Sequence, residues 1–167
     1  MKDALLEFYY EFHHSRHYFL CHDILEEAWK DNQSFTKDDP VVSLILLATG
    51  CYHYRRHNYK GAYRSFRKAK HVIDGVEDQE LLGIDINAYL ETLDHLIEAS
   101  HQQKPYAPIS LPLTETFQRL LMQKYPSFQN NMTPIEDHYI VHHHLKRDRQ
   151  PVVDARDQAY RQRHQEK

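Results

Sequence analysis

Glycine is scarce. Four residues in 167 leave few positions for the left-handed backbone of tight hairpins, and neither GxGxxG nor GxxxxGKS occurs, so nucleotide binding through a glycine-rich phosphate loop is not expected. Cysteine is scarcer still. Cys21 and Cys51 both lie in apolar stretches, where a free thiol behaves as a small buried hydrophobe, which points to a reducing compartment and excludes a disulfide framework. There is no CxxC or GxSxG, hence no signature of covalent catalysis. No stretch approaches the roughly 20 apolar residues needed to span a bilayer, and the first thirty residues lack a cationic start followed by an apolar run. The expectation is a cytoplasmic protein without membrane attachment.

Histidine, by contrast, is abundant. The formal charge is -3 with 14 histidines neutral, so acidification through about pH 6.5 would turn the chain cationic. The length suits a single domain with its own core.

Apolar residues recur at helical spacing along most of the chain, and the breaks between runs are polar or carry proline. The pattern predicts an all-α fold, a compact bundle of about five core helices around a central apolar helix, plus additional C-terminal helices. The first helix spans about Lys2 to His14 and the second about Arg16 to Asp31, with a short break near Ser15. The third opens on Asp39 as N-cap and Pro40 at the first helical position, and runs to about His57. Its segment VVSLILLATGCYHY is apolar nearly all round, which suits a central helix covered on most sides. The fourth runs from Asn58 to Gly75, with Tyr59, Ala62, Phe66, Ala69 and Ile73 inward. The fifth runs from about Asp78 to Gln103, with Leu82, Ile86, Leu90, Leu93 and Ile97 inward and Gly83 weakening its first turns. Pro105, Pro108 and Pro112 make the next stretch extended across the bundle surface. Residues 1–112 read as a core domain and 113–167 as a C-terminal helical extension, with helices at Thr114 to Lys124 and Pro134 to Lys146 and a frayed end.

Chemistry concentrates on the second helix. Spacings of four and three place His22, Glu26 and Trp29 on one stripe, with Tyr18, Cys21 and Leu25 on the neighbouring arc. A histidine and a carboxylate four residues apart form an ion pair, share a metal, or work as acid and base across a cleft. The plain structural alternative is a hydrogen-bonded pair that fixes how the helix docks, with Trp29 as packing mass. HDxxE lacks the second histidine of HExxH, so a divalent metal would need a further ligand, for which His53 on the third helix is the best placed. No cofactor is otherwise expected.

The run RHYFLCHDILEEAWK, followed by LILLATGCYHYRRHNYKGAYRSFRKAKHVI, resembles the bacterial and archaeal domain-of-unknown-function family 309. The matching positions are Tyr18, Phe19, His22, Asp23, Leu25, Glu26, Trp29, His53, Asn58, Gly61 and Ala62. The resemblance runs over about residues 3 to 112, including PYAPISLPL, and leaves the last third without a counterpart, as a lineage addition would. Asp23 stands where the family usually has Glu, and Leu20 where many members are acidic. The resemblance implies a small helical bundle and carries no established activity, substrate or cofactor.

Between Arg55 and His71 there are seven Lys or Arg residues and no acid, and Lys60, Arg64, Arg67 and Lys68 share the outer face of the fourth helix. In the tail, His138 and His142 are four apart and His143 and His144 adjoin them, a pattern that binds transition metals adventitiously. The leading expectation is a protein that binds a partner or small ligand, Tyr18, His22, Glu26, Trp29, His53 and Asn58 lining or bracing a polar pocket between helices two and three. One alternative is a metal-assisted or acid/base hydrolase using His22, Glu26 and His53. Another is a scaffold that binds an acidic protein, or less favourably nucleic acid, through the basic face; homo-oligomerisation is open.

Overall fold

The computed structural model describes residues 1–143 and residue 154. The fold is all-α: α1 (Lys2–Tyr10) runs through a π-turn (Glu11–Ser15) towards α2 (Tyr18–Lys30), followed by α3 (Pro40–Arg55), α4 (Tyr59–Ile73), α5 (Ile86–His101), α6 (Glu115–Lys124) and α7 (His138–Val141). None of these helices is long and apolar enough to cross a membrane. The predicted helical residues 144–146, His144 among them, and the frayed end from Arg147 lie outside the described residues, Asp154 excepted.

Local chemistry accounts for the helix starts. Pro40 opens α3, whose near-continuous apolar surface is covered by α2 on one side and α4 on the other. Asn58 Oδ1 accepts the Gly61 N–H at 3.0 Å and caps α4. Asp39 precedes Pro40 as predicted, but its side chain does not cap α3; its carboxylate takes the Trp29 indole N–H and the Thr36 amide, both at 2.9 Å.

Two elements differ from the sequence expectation. α5 begins at Ile86 rather than near Asp78, because Gly83 takes φ +70 and residues 83–85 pair with the distant stretch 112–114 instead of continuing a helix. Asp85 N–H donates to Pro112 O at 2.8 Å, Thr114 N–H donates to Gly83 O at 2.9 Å, and Ile84 bridges Leu113. Tyr89 and Leu96 then enter the core, while Leu90 and Ile97 are only partly buried. Of the helix predicted over Pro134 to Lys146, the described residues show His138–Val141 and, past a turn at His142, His143. Asp137 Oδ1 supplies its cap by accepting the Tyr139 and Ile140 amides.

The break between α1 and α2 holds the later chain. Arg16 adopts φ +54 and is fully buried. Its guanidinium donates to the Ile109 and Asn131 carbonyls and to Asn130 Oδ1, and its own carbonyl accepts from Arg55 Nη1 at 2.6 Å. His13, also buried, accepts the Leu111 N–H at Nε2 (2.9 Å), so Nδ1 carries the hydrogen and donates to Tyr9 O at 2.8 Å. α6 packs on α1, with Phe117 edge-on to Tyr9 and Tyr125 stacked on Tyr10 at 4.4 Å.

A Cβ on Gly83 would stand 2.0 Å from Phe117 Cγ, and the left-handed backbone adds its own strain. Gly83→Ala should therefore cost on the order of 2–4 kcal/mol in denaturant unfolding, against about 1–2 kcal/mol for Gly75→Ala, where the positive φ is kept but nothing lies within 4 Å of the new Cβ.

Burial pushes His13 down to about 4 from its usual 6.5. A depressed histidine is neutral in the fold while the unfolded chain still takes up a proton. Stability should thus be flat above about pH 6.5 and fall by about 1.4 kcal/mol per pH unit towards pH 4 for this group. Denaturant midpoints across pH 4–8 check this; the slope should flatten in His13→Gln, which keeps one donor and one acceptor.

Candidate functional site

Two contacts set the register of α2 against α3. The Phe19 and Tyr52 rings meet at 5.5 Å, and Arg55 bonds the carbonyl of Arg16. Both pairs fit one antiparallel alignment, which brings His22 opposite Thr49. Along this seam lies a cavity of about 190 Å³. Tyr18, Phe19 and Tyr52 form its aromatic walls, and His22, Thr49, His53 and Arg56 supply its polar groups.

His22 and His53, the two imidazoles expected from sequence, thus face one cavity. Each is oriented by a neighbour on its own side. The Asn58 amide is fixed by the Gly61 cap bond, so its Nδ2–H donates to His53 Nδ1 at 3.1 Å; His53 carries its hydrogen on Nε2. Burial and the Arg56 cation hold His53 below its ordinary pKa, which favours this neutral ring. On the opposite wall, His22 Nδ1 donates to Asp23 Oδ1 at 3.2 Å, with Glu26 Oε2 at 4.0 Å, leaving Nε2 as an acceptor in the neutral ring.

The other predicted residues are placed differently. Glu26 stands behind His22, paired with Lys30 at 3.0 Å, and does not line the cavity. Trp29 is elsewhere: its indole packs edge-on to Phe35 and donates to Thr36 O and Asp39, because the loop after α2 folds back over it. Asn58 braces His53 from outside the lining. Among the described residues, the three ligand atoms within 4.8 Å of one another come from His22, Asp23 and Glu26, so the tightest trio replaces His53 with Asp23.

Sequence reasoning missed Arg56 and Tyr52. The signal was present, since 49, 52, 53 and 56 form an i, i+3, i+4, i+7 stripe, but Arg56 read as part of the basic run. Its Nε donates to His142 Nδ1 at 3.2 Å and its guanidinium lies over the Tyr52 ring at 5.3 Å. α7 therefore borders the site. His143 stacks on Phe19 at 4.9 Å and shares a hydrogen bond with His17 at 2.8 Å, and burial beside His143 and Arg55 pushes His17 down to about 4. The tail histidines at 142 and 143 thus turn to protein partners. Tyr18 closes the inner end, its hydroxyl bonded to Tyr106, its ring under Arg55 at 4.6 Å, and its pKa raised by burial to about 12.

Lys60, Arg64, Arg67 and Lys68 are exposed on α4. The last three edge an open groove whose floor includes Val42, Leu46 and Val72, with Arg67 over the Tyr63 ring at 5.6 Å.

Asn58→Ala removes both the cap of α4 and the bond that fixes the His53 tautomer. It should cost about 1 kcal/mol in unfolding free energy. Nitrogen-15 shifts of His53 should move from one tautomer to a mixture, whereas Asn58→Asp should keep the cap.

The family model described as a domain of unknown function, DUF309, matches residues 5–65, a span that carries every residue lining the cavity. The uncharacterized protein YpuF of Bacillus subtilis (strain 168) is 30% identical over 168 residues, covering 96% of this chain and 95% of its own length. The C-terminal third is therefore shared with that relative and is not an addition confined to this chain. No solved structure matches the chain. On the strength of the family match and of this near full-length relative, the chain belongs to the DUF309 family.

Proposed function

We propose that this protein binds a small organic ligand in the cavity between α2 and α3. The observation that carries the reading is the convergence of two imidazoles and a guanidinium on a space walled by three aromatic rings. Concave apolar sites with a few oriented polar groups are the usual form of a small-molecule site. Size limits the ligand. An apolar cavity of about 150 Å³ accepts benzene, so 190 Å³ with one open side suits a single ring bearing one or two substituents.

The His22–Asp23 contact favours a second reading, in which the carboxylate orients His22 as a general base, or the trio with Glu26 holds a divalent ion for hydrolysis. Metal analysis after chelation and dialysis separates the two. A stoichiometric ion that disappears in His22→Ala supports the second, and a metal-free protein that still binds a ring supports the first.

A library of monocyclic aromatic fragments, read by thermal unfolding and ligand-observed NMR, tests the main reading. A ligand at about 100 times its Kd stabilises by roughly 2.7 kcal/mol, which raises the Tm of a domain this size by about 5–10 °C. Thr49→Phe fills the cavity and should abolish the shift. Failure to find any binder sensitive to Thr49→Phe would reject the cavity as a binding site.

A further inference from the structure

The cavity has two chemically different ends. By the antiparallel register, His22 lies level with Thr49, while Arg56 lies two turns further along α3, about 10 Å away on the helix axis. At the Arg56 end the two nitrogen side chains, Arg56 and His53, both present donors. The Arg56 guanidinium forms no ion pair with a carboxylate among the described residues, and its one hydrogen bond runs from Nε to His142, leaving both terminal nitrogens uncommitted. His53, one turn back on the same face, offers Nε2–H, because Asn58 occupies its Nδ1. At the other end the polarity reverses. In its neutral form His22 presents an accepting Nε2, because the Asp23 carboxylate takes the hydrogen on Nδ1. The Thr49 hydroxyl is spent on the Ile45 carbonyl at 2.9 Å, so its oxygen also faces the cavity as an acceptor. The two acids nearest the site, Asp23 and Glu26, are engaged with His22 and Lys30 and do not line it.

Resting on the ligand-binding reading above, we infer that the ligand is a small planar aromatic or heteroaromatic carboxylate carrying a hydroxyl or amino group at its far end. The carboxylate lies against Arg56 and His53, and the far group donates towards His22. A guanidinium fork matches the two oxygens of a carboxylate, and a desolvated aromatic setting strengthens that pairing. A neutral ligand of the same shape would leave the cation facing apolar walls without a partner.

The test uses the full chain with two probes, 4-hydroxybenzoate and its neutral counterpart 4-hydroxybenzyl alcohol, titrated by calorimetry or NMR. The expected result is that 4-hydroxybenzoate binds tighter by about ten-fold or more. Arg56→Met retains the aliphatic stem over Tyr52 and should erase that preference, chiefly by weakening the binding of 4-hydroxybenzoate. Benzoate, which lacks the far donor, should bind several-fold more weakly than 4-hydroxybenzoate to the wild type and equally to His22→Phe. Equal affinity of the two main probes, or a carboxylate preference that survives Arg56→Met, overturns the assignment while the cavity stands as a binding site. If neither probe binds and no other monocyclic fragment does so in a manner sensitive to Thr49→Phe, the ligand-binding reading itself falls, and this inference with it. If other fragments bind but neither probe does, only the carboxylate class is overturned.

Discussion

A fully buried arginine organises this molecule. Removing a cation from water costs several kcal/mol even after relaxation, and Arg16 is not matched by an acid among the described residues. Its charge is instead met by carbonyl and amide oxygens of Ile109, Asn131 and Asn130. Those acceptors belong to the proline-bearing stretch and to the loop after α6. The arm that follows α5 therefore has little freedom to leave without stranding the guanidinium. The left-handed backbone of Arg16 and the π-turn before it are local strains that persist because the surroundings over-determine them.

The same residue reaches the candidate site through its backbone. Arg55 donates to the Arg16 carbonyl, and this bond, with the Phe19–Tyr52 contact, locks α2 to α3 in the register that makes the cavity. Arg55 in turn lies on the Tyr18 ring, whose hydroxyl meets Tyr106 of the C-terminal arm. Anchor, seam and arm form one connected set of contacts. The inner wall of the cavity is consequently a packed, hydrogen-bonded surface, while its rim towards α7 rests on imidazole contacts from His142 and His143.

Much of the bundle was legible in the sequence because helical periodicity and capping are local. Asn58, Pro40 and the Ala62, Phe66, Ala69 and Ile73 stripe stand where those rules place them. The start of α5 was misread for a long-range reason. The pairing of Gly83 and Asp85 with Pro112 and Thr114 joins residues about thirty positions apart, and no local pattern announces it. At the site, His22 and His53 were found because both sit on apolar helix faces. Trp29 was misassigned since the stripe it shares with His22 continues past the end of the seam, where the loop after α2 covers it. Arg56 was hidden in a run of seven basic residues whose other members have different surroundings. Arg16 and His13 left no trace at all; a polar letter near a helix break reads as exposed unless the acceptors contributed by distant carbonyls are known.

The distribution of charge follows from that contrast. The basic residues of α4 face solvent, where each cation is hydrated and contributes little to the fold. Arg16, Arg55 and Arg56 sit inward or at the seam, and among the described residues they pair with carbonyls, rings and histidines instead of acids. An interior cation balanced by a carboxylate is electrically closed. One balanced only by dipoles keeps a positive potential around it. The cavity between α2 and α3 is bounded by Arg56 and stands next to Arg55, behind Tyr18, so the field along its length is positive at one end and falls towards Asp23 and Glu26 at the other. The aromatic walls and this gradient are what the proposed anionic ligand would meet along the cavity. Under the proposed reading, selectivity would come from where charge is placed along that axis.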